Sequence, residues 1–123
     1  MISPVKLFKS FSHAYHGLKV SLKEEQNLRL EFIAAFAAIL IGIYLRLSYF
    51  EWIVLFITVG LVIGAELFNT ALEKVVDLVS PEIHPLAKKA KDAAAAAVLI
   101  FSIMAVIVGL FLFVPKFLGY NLF

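Results

Sequence analysis

The hydrophobic pattern changes character about a quarter of the way along the chain. Up to about residue 23, Phe8, Phe11, Tyr15, Leu18 and Leu22 recur at spacings of three and four, which gathers them on one helical face. Lys6, Lys9, His13, His16 and Lys19 fall on the other face. Ser3-Pro4 provides a start signal, with Ser as N-cap and Pro at the first helical position. Beyond that segment the polar face disappears, and three apolar runs follow at about 32–50, 52–72 and 93–114. Each is close to the roughly 20 residues that cross a bilayer. The pattern predicts an all-α membrane protein. A basic amphipathic helix over about 4–23 lies in the interface, lysines toward anionic headgroups, and precedes three transmembrane helices. A tight hairpin around Leu47 to Glu51 joins the first two spans.

Composition agrees. Of the 123 residues 63% are hydrophobic and 16% charged, with a mean hydropathy of +0.97. Soluble domains are nearer half apolar and a quarter charged. The length suits one membrane-embedded domain, 1–123. No cysteine is present, which excludes disulfides, thiolate metal sites and thiol nucleophiles. Residues 1–31 are punctuated by Lys6, Lys9, Lys19, Lys23 and Arg29 and do not read as a cleavable signal.

Charge placement predicts the orientation. Lys6, Lys9, Lys19, Lys23, Arg29, Lys74, Lys88, Lys89 and Lys91 fall on one side of a three-span model, and only Arg46 and Lys116 on the other. The N-terminus and the 73–92 loop are then cytosolic and the C-terminus outside. Arg46 snorkels from the end of its span, and Tyr49 and Trp52 suit an interfacial aromatic belt. Gly60 and Gly64 form a small-xxx-small pair in span two, and Ala93 to Ala97 open span three, so both spans permit close helix approach. Three helices make a thin bundle, which points to a homo-oligomer.

Glu66 is the informative residue. It follows an uncharged run from Trp52 to Ala65. An ionisable group within a span costs several kcal/mol, so it ordinarily faces a bundle interior and has a task there. Asn69, Glu73 and Asp77 follow at intervals of three, four and four, on the same helical face. Glu66 and Asp77 lie about 16 Å apart along the axis, so the stripe climbs from inside the headgroup boundary into the cytosol. Carboxylates with an amide suit Mg²⁺, which takes few protein carboxylates plus phosphate oxygens. Glu24, Glu25 and Arg29 precede span one at the depth of Glu73, while Lys88, Lys89, Lys91 and Asp92 precede span three. Metal-holding carboxylates, phosphate-binding lysines and one desolvated base are the parts phosphoryl transfer needs. Glu66 is the candidate base.

The common nucleotide motifs are missing: there is no G-x-x-x-x-G-K-[ST] loop, kinase Gly-rich loop or H-R-D segment. His13, His16 and His84 have no transition-metal spacing. Two other classes compete with an enzyme. An ion-conducting subunit wants polar groups through the midplane, where spans one and three are apolar. A purely structural membrane subunit leaves Glu66 without a role.

The run Glu66-Leu-Phe-Asn-Thr-Ala-Leu-Glu-Lys-Val-Val-Asp77, then Glu82-Ile-His84, then Lys88-Lys-Ala-Lys-Asp-Ala-Ala-Ala-Ala-Ala-Val-Leu99, resembles the signature of the prokaryotic diacylglycerol kinase family. The resemblance spans nearly the whole chain. It implies a homotrimeric kinase of the bacterial cell membrane that transfers the γ-phosphate of ATP to a lipid hydroxyl, with Mg²⁺, at sites shared between subunits. It further implies Glu66 as general base, with Ala95 beside it on the lipid substrate, and Glu25 and Glu73 as metal-holding residues that also face the nucleotide. Glu82, Ile83 and His84 then touch the nucleotide, Lys91 and Asp92 its phosphate and ribose side, while Asn69 and Asp77 complete the motif face. Arg29 and Lys88 support the site. Lys6 and His13 stand at two further nucleotide-facing positions, where the enterobacterial branch has Arg and Tyr. Glu25-Gln-Asn-Leu-Arg29 and Ser80-Pro-Glu-Ile-His-Pro85 resemble the Gram-positive members, which phosphorylate undecaprenol. That lipid is the expected substrate, with diacylglycerol the alternative, and nucleic acid is not an expected partner.

Overall fold

A computed structural model describes residues 1–120. They form four helices: α1 (Pro4–Glu24), α2 (Gln26–Leu45), α3 (Tyr49–Val79) and α4 (Pro85–Phe117). As expected, Ser3 caps α1, its side chain accepting from the Lys6 N–H, with Pro4 in the first turn. Helix α1 buries no residue, and Phe8, Phe11 and Tyr15 are exposed.

Helices α2, α3 and α4 are each long and apolar enough to cross a membrane. They run back and forth, so one end of the bundle holds the start of α2, the end of α3 and the start of α4. The opposite, hairpin end holds the α2–α3 turn and the end of α4. With 31 residues, α3 is about 46 Å long against a hydrocarbon core of about 30 Å. Its last turns, which carry Asn69, Glu73 and Asp77, therefore project beyond the span. Helix α4 starts at Pro85, eight residues before the apolar run, and extends the bundle in the same way.

The hairpin lies earlier than the hydropathy indicates. Span one was expected to continue to Phe50, but α2 stops at Leu45, and Tyr49 and Phe50 belong to α3. Arg46 takes a left-handed conformation (φ 56°). This closes the helix with hydrogen bonds from the Arg46 N–H to the Ile43 carbonyl (3.2 Å) and from the Leu47 N–H to the Gly42 carbonyl (3.1 Å). Ser48 then starts α3 with a reciprocal capping box: its hydroxyl accepts from the Glu51 N–H (3.2 Å), and Glu51 Oε1 accepts from the Ser48 N–H (3.0 Å). Apolar residues continue through this corner, so hydropathy alone runs past it.

The core gathers at the hairpin end. Leu47, Leu55 and Leu112 are buried there, flanked by Ile39, Trp52 and Phe113. Trp52 is part of this packing, stacked on Phe56 with ring centroids 5.6 Å apart, whereas Tyr49 remains exposed. Within a single chain the close helix approach lies at the hairpin. At Gly60 and Gly64 an added Cβ would meet nothing within 4 Å, while at Gly42 it would lie 2.9 Å from both Leu47 Cδ1 and Trp52 Cη2. Gly42→Ala should therefore overpack the hairpin and cost about 1–3 kcal/mol. A lowered melting temperature in detergent, with no comparable change for Gly60→Ala, is the expected outcome.

Candidate functional site

Helix α3 presents Glu66, Asn69, Thr70 and Glu73 toward α2 and α4 at the bundle end away from the hairpin. Glu66 is 2% exposed. The carboxylates of Glu25 and Glu73 lie close enough for their charges to act on it. Glu25 takes up the break between α1 and α2 in extended conformation (φ −105°, ψ 112°) and is half-buried there. Leu28, 0% exposed, anchors the first turn of α2 immediately after it. The Asn69 amide donates to Glu73 Oε1 at 3.2 Å. Three of the four acidic and amide groups expected on one face of α3 thus converge near Glu25.

The start of α2 contributes one more acid, absent from the expected set. Glu31 is half-buried, and its charge interacts with that of Glu66. Its Oε2 is buried without a hydrogen-bond partner, as are Asn69 Oδ1 and Thr70 Oγ1. Buried acceptors left open are uncommon, because each forfeits hydration without replacement. Three around one carboxylate leave room for a bound donor or cation. Leu28, Glu31, Ala35, Ala38 and Gly42 recur at intervals of three and four, and that register was the available signal placing Glu31 on the inward face.

Two cavities lie along the bundle, one to each side of the level of Glu66: the α3 residues of the first end at Ile63, those of the second begin at Val76, and Glu66, Glu25, Asn69 and Glu73 line neither. The first, about 310 Å³, is lined by Glu31 and otherwise almost entirely by apolar and small residues of α2, α3 and α4, among them Ala38, Leu55, Val59, Gly109 and Phe113. The second, about 280 Å³, is polar and lies beyond the span. Its lining includes Asp77, Glu82, Ile83, His84, Lys88, Lys91 and Asp92. The expected residues of the segment 82–84 and, from the start of α4, Lys88, Lys91 and Asp92 therefore meet Asp77 in one pocket, while Lys89 stands outside it. The His84 ring caps α4, Nδ1 accepting from the Leu86 N–H at 3.1 Å. The lysines are ion-paired rather than open: Lys91 with Asp77, and Lys88 with Asp92 at 2.5 Å.

Other expected members stand apart. Lys6 and His13 lie exposed on α1 and line neither cavity, nor does the exposed Ala95. Arg29 turns away from the carboxylates. Its guanidinium donates to the carbonyls of Leu22 (2.9 Å) and Lys23 (2.8 Å), satisfying the end of α1. Lys74 meets Glu24 at 2.6 Å and ties the same end to α3. Arg29→Ala should loosen α1 by about 1 kcal/mol, given the exposure of these bonds. Faster amide exchange over residues 18–25, with α3 unchanged, is the expected readout.

Among the described residues no set of three or more Asp, Glu or His is placed to hold a metal by itself. Glu25 and Glu73 beside Glu66, with the open Asn69 Oδ1, fit a Mg²⁺ that draws its remaining ligands from phosphate and water.

A family model described as prokaryotic diacylglycerol kinase matches residues 12–113. The chain is 43% identical over 111 residues to an undecaprenol kinase of Bacillus subtilis (strain 168), covering 90% of each chain. It is 42% identical over 95 residues to a diacylglycerol kinase of Helicobacter pylori (strain ATCC 700392 / 26695), covering 77% of this chain and 74% of that one. It is also 35% identical over 102 residues to the diacylglycerol kinase of Escherichia coli (strain K12), covering 83% of this chain and 84% of the relative. A buried acid at a level between an apolar cleft and a polar pocket, among three helices long and apolar enough to cross a membrane, accords with these matches: the chain belongs to the prokaryotic diacylglycerol kinase family and is a lipid kinase.

Proposed function

We propose that this protein transfers the γ-phosphate of ATP to the hydroxyl of undecaprenol at the cytosolic face of a bacterial membrane. The observation that supports it most is the place of Glu66, buried on α3 at a level between the apolar cleft, which ends at Ile63 of that helix, and the polar pocket, which begins at Val76. A lipid alcohol lies with its tail in the cleft and its hydroxyl at Glu66. The nucleotide lies in the pocket of Asp77, Glu82–His84, Lys91 and Asp92. The lipid oxygen attacks the γ-phosphorus, the bond to the β–γ bridging oxygen breaks, ADP leaves, and Glu66 takes the hydroxyl proton. Glu25 and Glu73 hold the Mg²⁺, which supplies neutralisation of phosphate charge. Lys91 exchanges Asp77 for phosphate when nucleotide arrives, and Lys88 supports the pocket from the next turn of α4. Glu31 helps seat the hydroxyl opposite Glu66.

Lys6, His13 and Ala95 line neither cavity of their own chain. Their expected contacts to nucleotide and lipid fit a homotrimer in which neighbouring subunits complete each site. Undecaprenol is preferred over diacylglycerol because Glu25-Gln-Asn-Leu-Arg29 and Ser80-Pro-Glu-Ile-His-Pro85 resemble the members that phosphorylate undecaprenol, and because the match to an undecaprenol kinase covers 90% of both chains. The test offers both lipids at equal mole fraction to purified protein with Mg-ATP. Faster phosphorylation of undecaprenol supports the reading, and preference for diacylglycerol replaces the substrate while keeping the reaction.

A further inference from the structure

The hairpin end of the bundle holds a buried ion pair that the site does not use. Glu51 is 2% exposed, and its Oε1 lies 3.0 Å from Lys116 Nζ, whose side chain is 11% exposed. Glu51 Oε1 also accepts from the Ser48 N–H in the capping box, so the carboxylate is fixed at the first turn of α3. Lys116 is fixed as firmly at the last turn of α4. The Leu118 N–H donates to the Val114 carbonyl, the Gly119 N–H to that of Lys116 and the Tyr120 N–H to that of Pro115, with Gly119 at φ 86°.

The position of the pair relative to the apolar cleft gives it a consequence. Leu55 is the cleft-lining residue of α3 nearest the hairpin, and Glu51 lies four residues beyond it. Phe113 is the corresponding residue of α4, and Lys116 lies three beyond. Spacings of three and four keep both on the cleft-facing side of their helices. Leu47, Leu55 and Leu112 pack into one cluster at the same level. The cleft therefore begins at Glu31 and ends at Leu55 and Phe113, and the ion pair closes the bundle about one helical turn beyond them.

We propose that Glu51–Lys116 is the floor of the lipid groove and determines how much of the lipid tail the protein holds. From Ser102 to Phe113 the groove runs about 16 Å along α4. A tail fills that length and then leaves sideways between helices into the bilayer. It does not continue to the hairpin end, because the two paired side chains, held together where neither can reach water, fill the space between α3 and α4. The protein thus reads the hydroxyl end and the first segment of a tail, and is indifferent to chain beyond it. This rests on the lipid kinase reading above.

The test uses lipid alcohols bearing a photoreactive diazirine at successive positions along the tail. Each is first shown to be phosphorylated by the wild-type protein with Mg-ATP in vesicles, then photolysed and mapped by mass spectrometry. Labels within the first 16 Å or so should mark groove residues down to Leu55, Phe113 and Glu51. Deeper labels should give adducts on lipid-facing positions or none, and never on Val114 to Leu118. In Glu51→Ala/Lys116→Ala the deeper labels should reach that segment. In Glu51→Met/Lys116→Leu, which keeps an apolar plug, the wild-type map should return. Should the double alanine variant not fold, the wild-type map decides alone: adducts on Val114 to Leu118 from deep labels overturn the proposal. An unchanged map in a folded double alanine variant also overturns it. If no labelled lipid is phosphorylated, the kinase reading fails instead.

Discussion

Glu66→Gln is expected to reduce phosphoryl transfer by about 10²–10⁴-fold, the range a general base contributes. The amide matches the carboxylate in size and cannot take a proton. Folding should survive, for a physical reason. Glu66 is buried beside the like charges of Glu25, Glu73 and Glu31, so its own charge opposes assembly of the site. Neutralising it removes that repulsion. The variant should insert, purify and melt at or above the wild-type temperature while remaining inactive. Nucleotide affinity should be nearly unchanged, because the loss falls on the chemical step. An active Glu66→Gln protein contradicts the assignment of the base.

Glu73→Gln should act differently. Glu73 accepts the Asn69 amide at 3.2 Å, and a Gln carbonyl still accepts it, so local geometry persists. On the proposed reading, what is lost is one of the two carboxylates that hold Mg²⁺, the other being Glu25. The half-saturating Mg²⁺ concentration should rise by at least about 10–100-fold, since even groups that only support a metal ligand commonly carry that much. At saturating Mg²⁺ part of the rate should return, which it does not for Glu66→Gln. A titration of activity against Mg²⁺ separates the two. If Glu73→Gln behaves like Glu66→Gln at every Mg²⁺ concentration, Glu73 is not a metal-holding residue.

The long-period features of this chain were legible in its sequence. The three apolar runs and the amphipathic start correspond to four helices, and the Glu66–Asp77 stripe is one helical face because α3 continues unbroken beyond the span. Features at corners were harder to read. Leu45 to Phe50 is apolar except for Arg46 and Ser48, so hydropathy carried span one past a turn that Arg46 and the Ser48–Glu51 capping box close earlier. The Ser48-x-x-Glu51 spacing is a short-range start signal inside a hydrophobic pattern of longer range. Long-range pairing has no one-dimensional signature. Nothing in the sequence indicates that Lys116 meets Glu51, that Lys91 meets Asp77, or that Arg29 turns back to cap α1. Glu31 lies between these cases. Its register with Leu28, Ala35, Ala38 and Gly42 marks the inward face, but its place at the very start of an apolar run makes it look like a flanking charge.

Glu66 lies along α3 between the levels of an apolar cleft and a polar pocket, and the proposed reaction carries phosphate from one to the other. Incubating the purified protein in vesicles with γ-labelled ATP, Mg²⁺ and undecaprenol tests this most directly. The account predicts label in the lipid phase as undecaprenyl phosphate, dependent on Mg²⁺ and lost in Glu66→Gln. Label that stays wholly in the aqueous phase with undecaprenol and with diacylglycerol alike contradicts it.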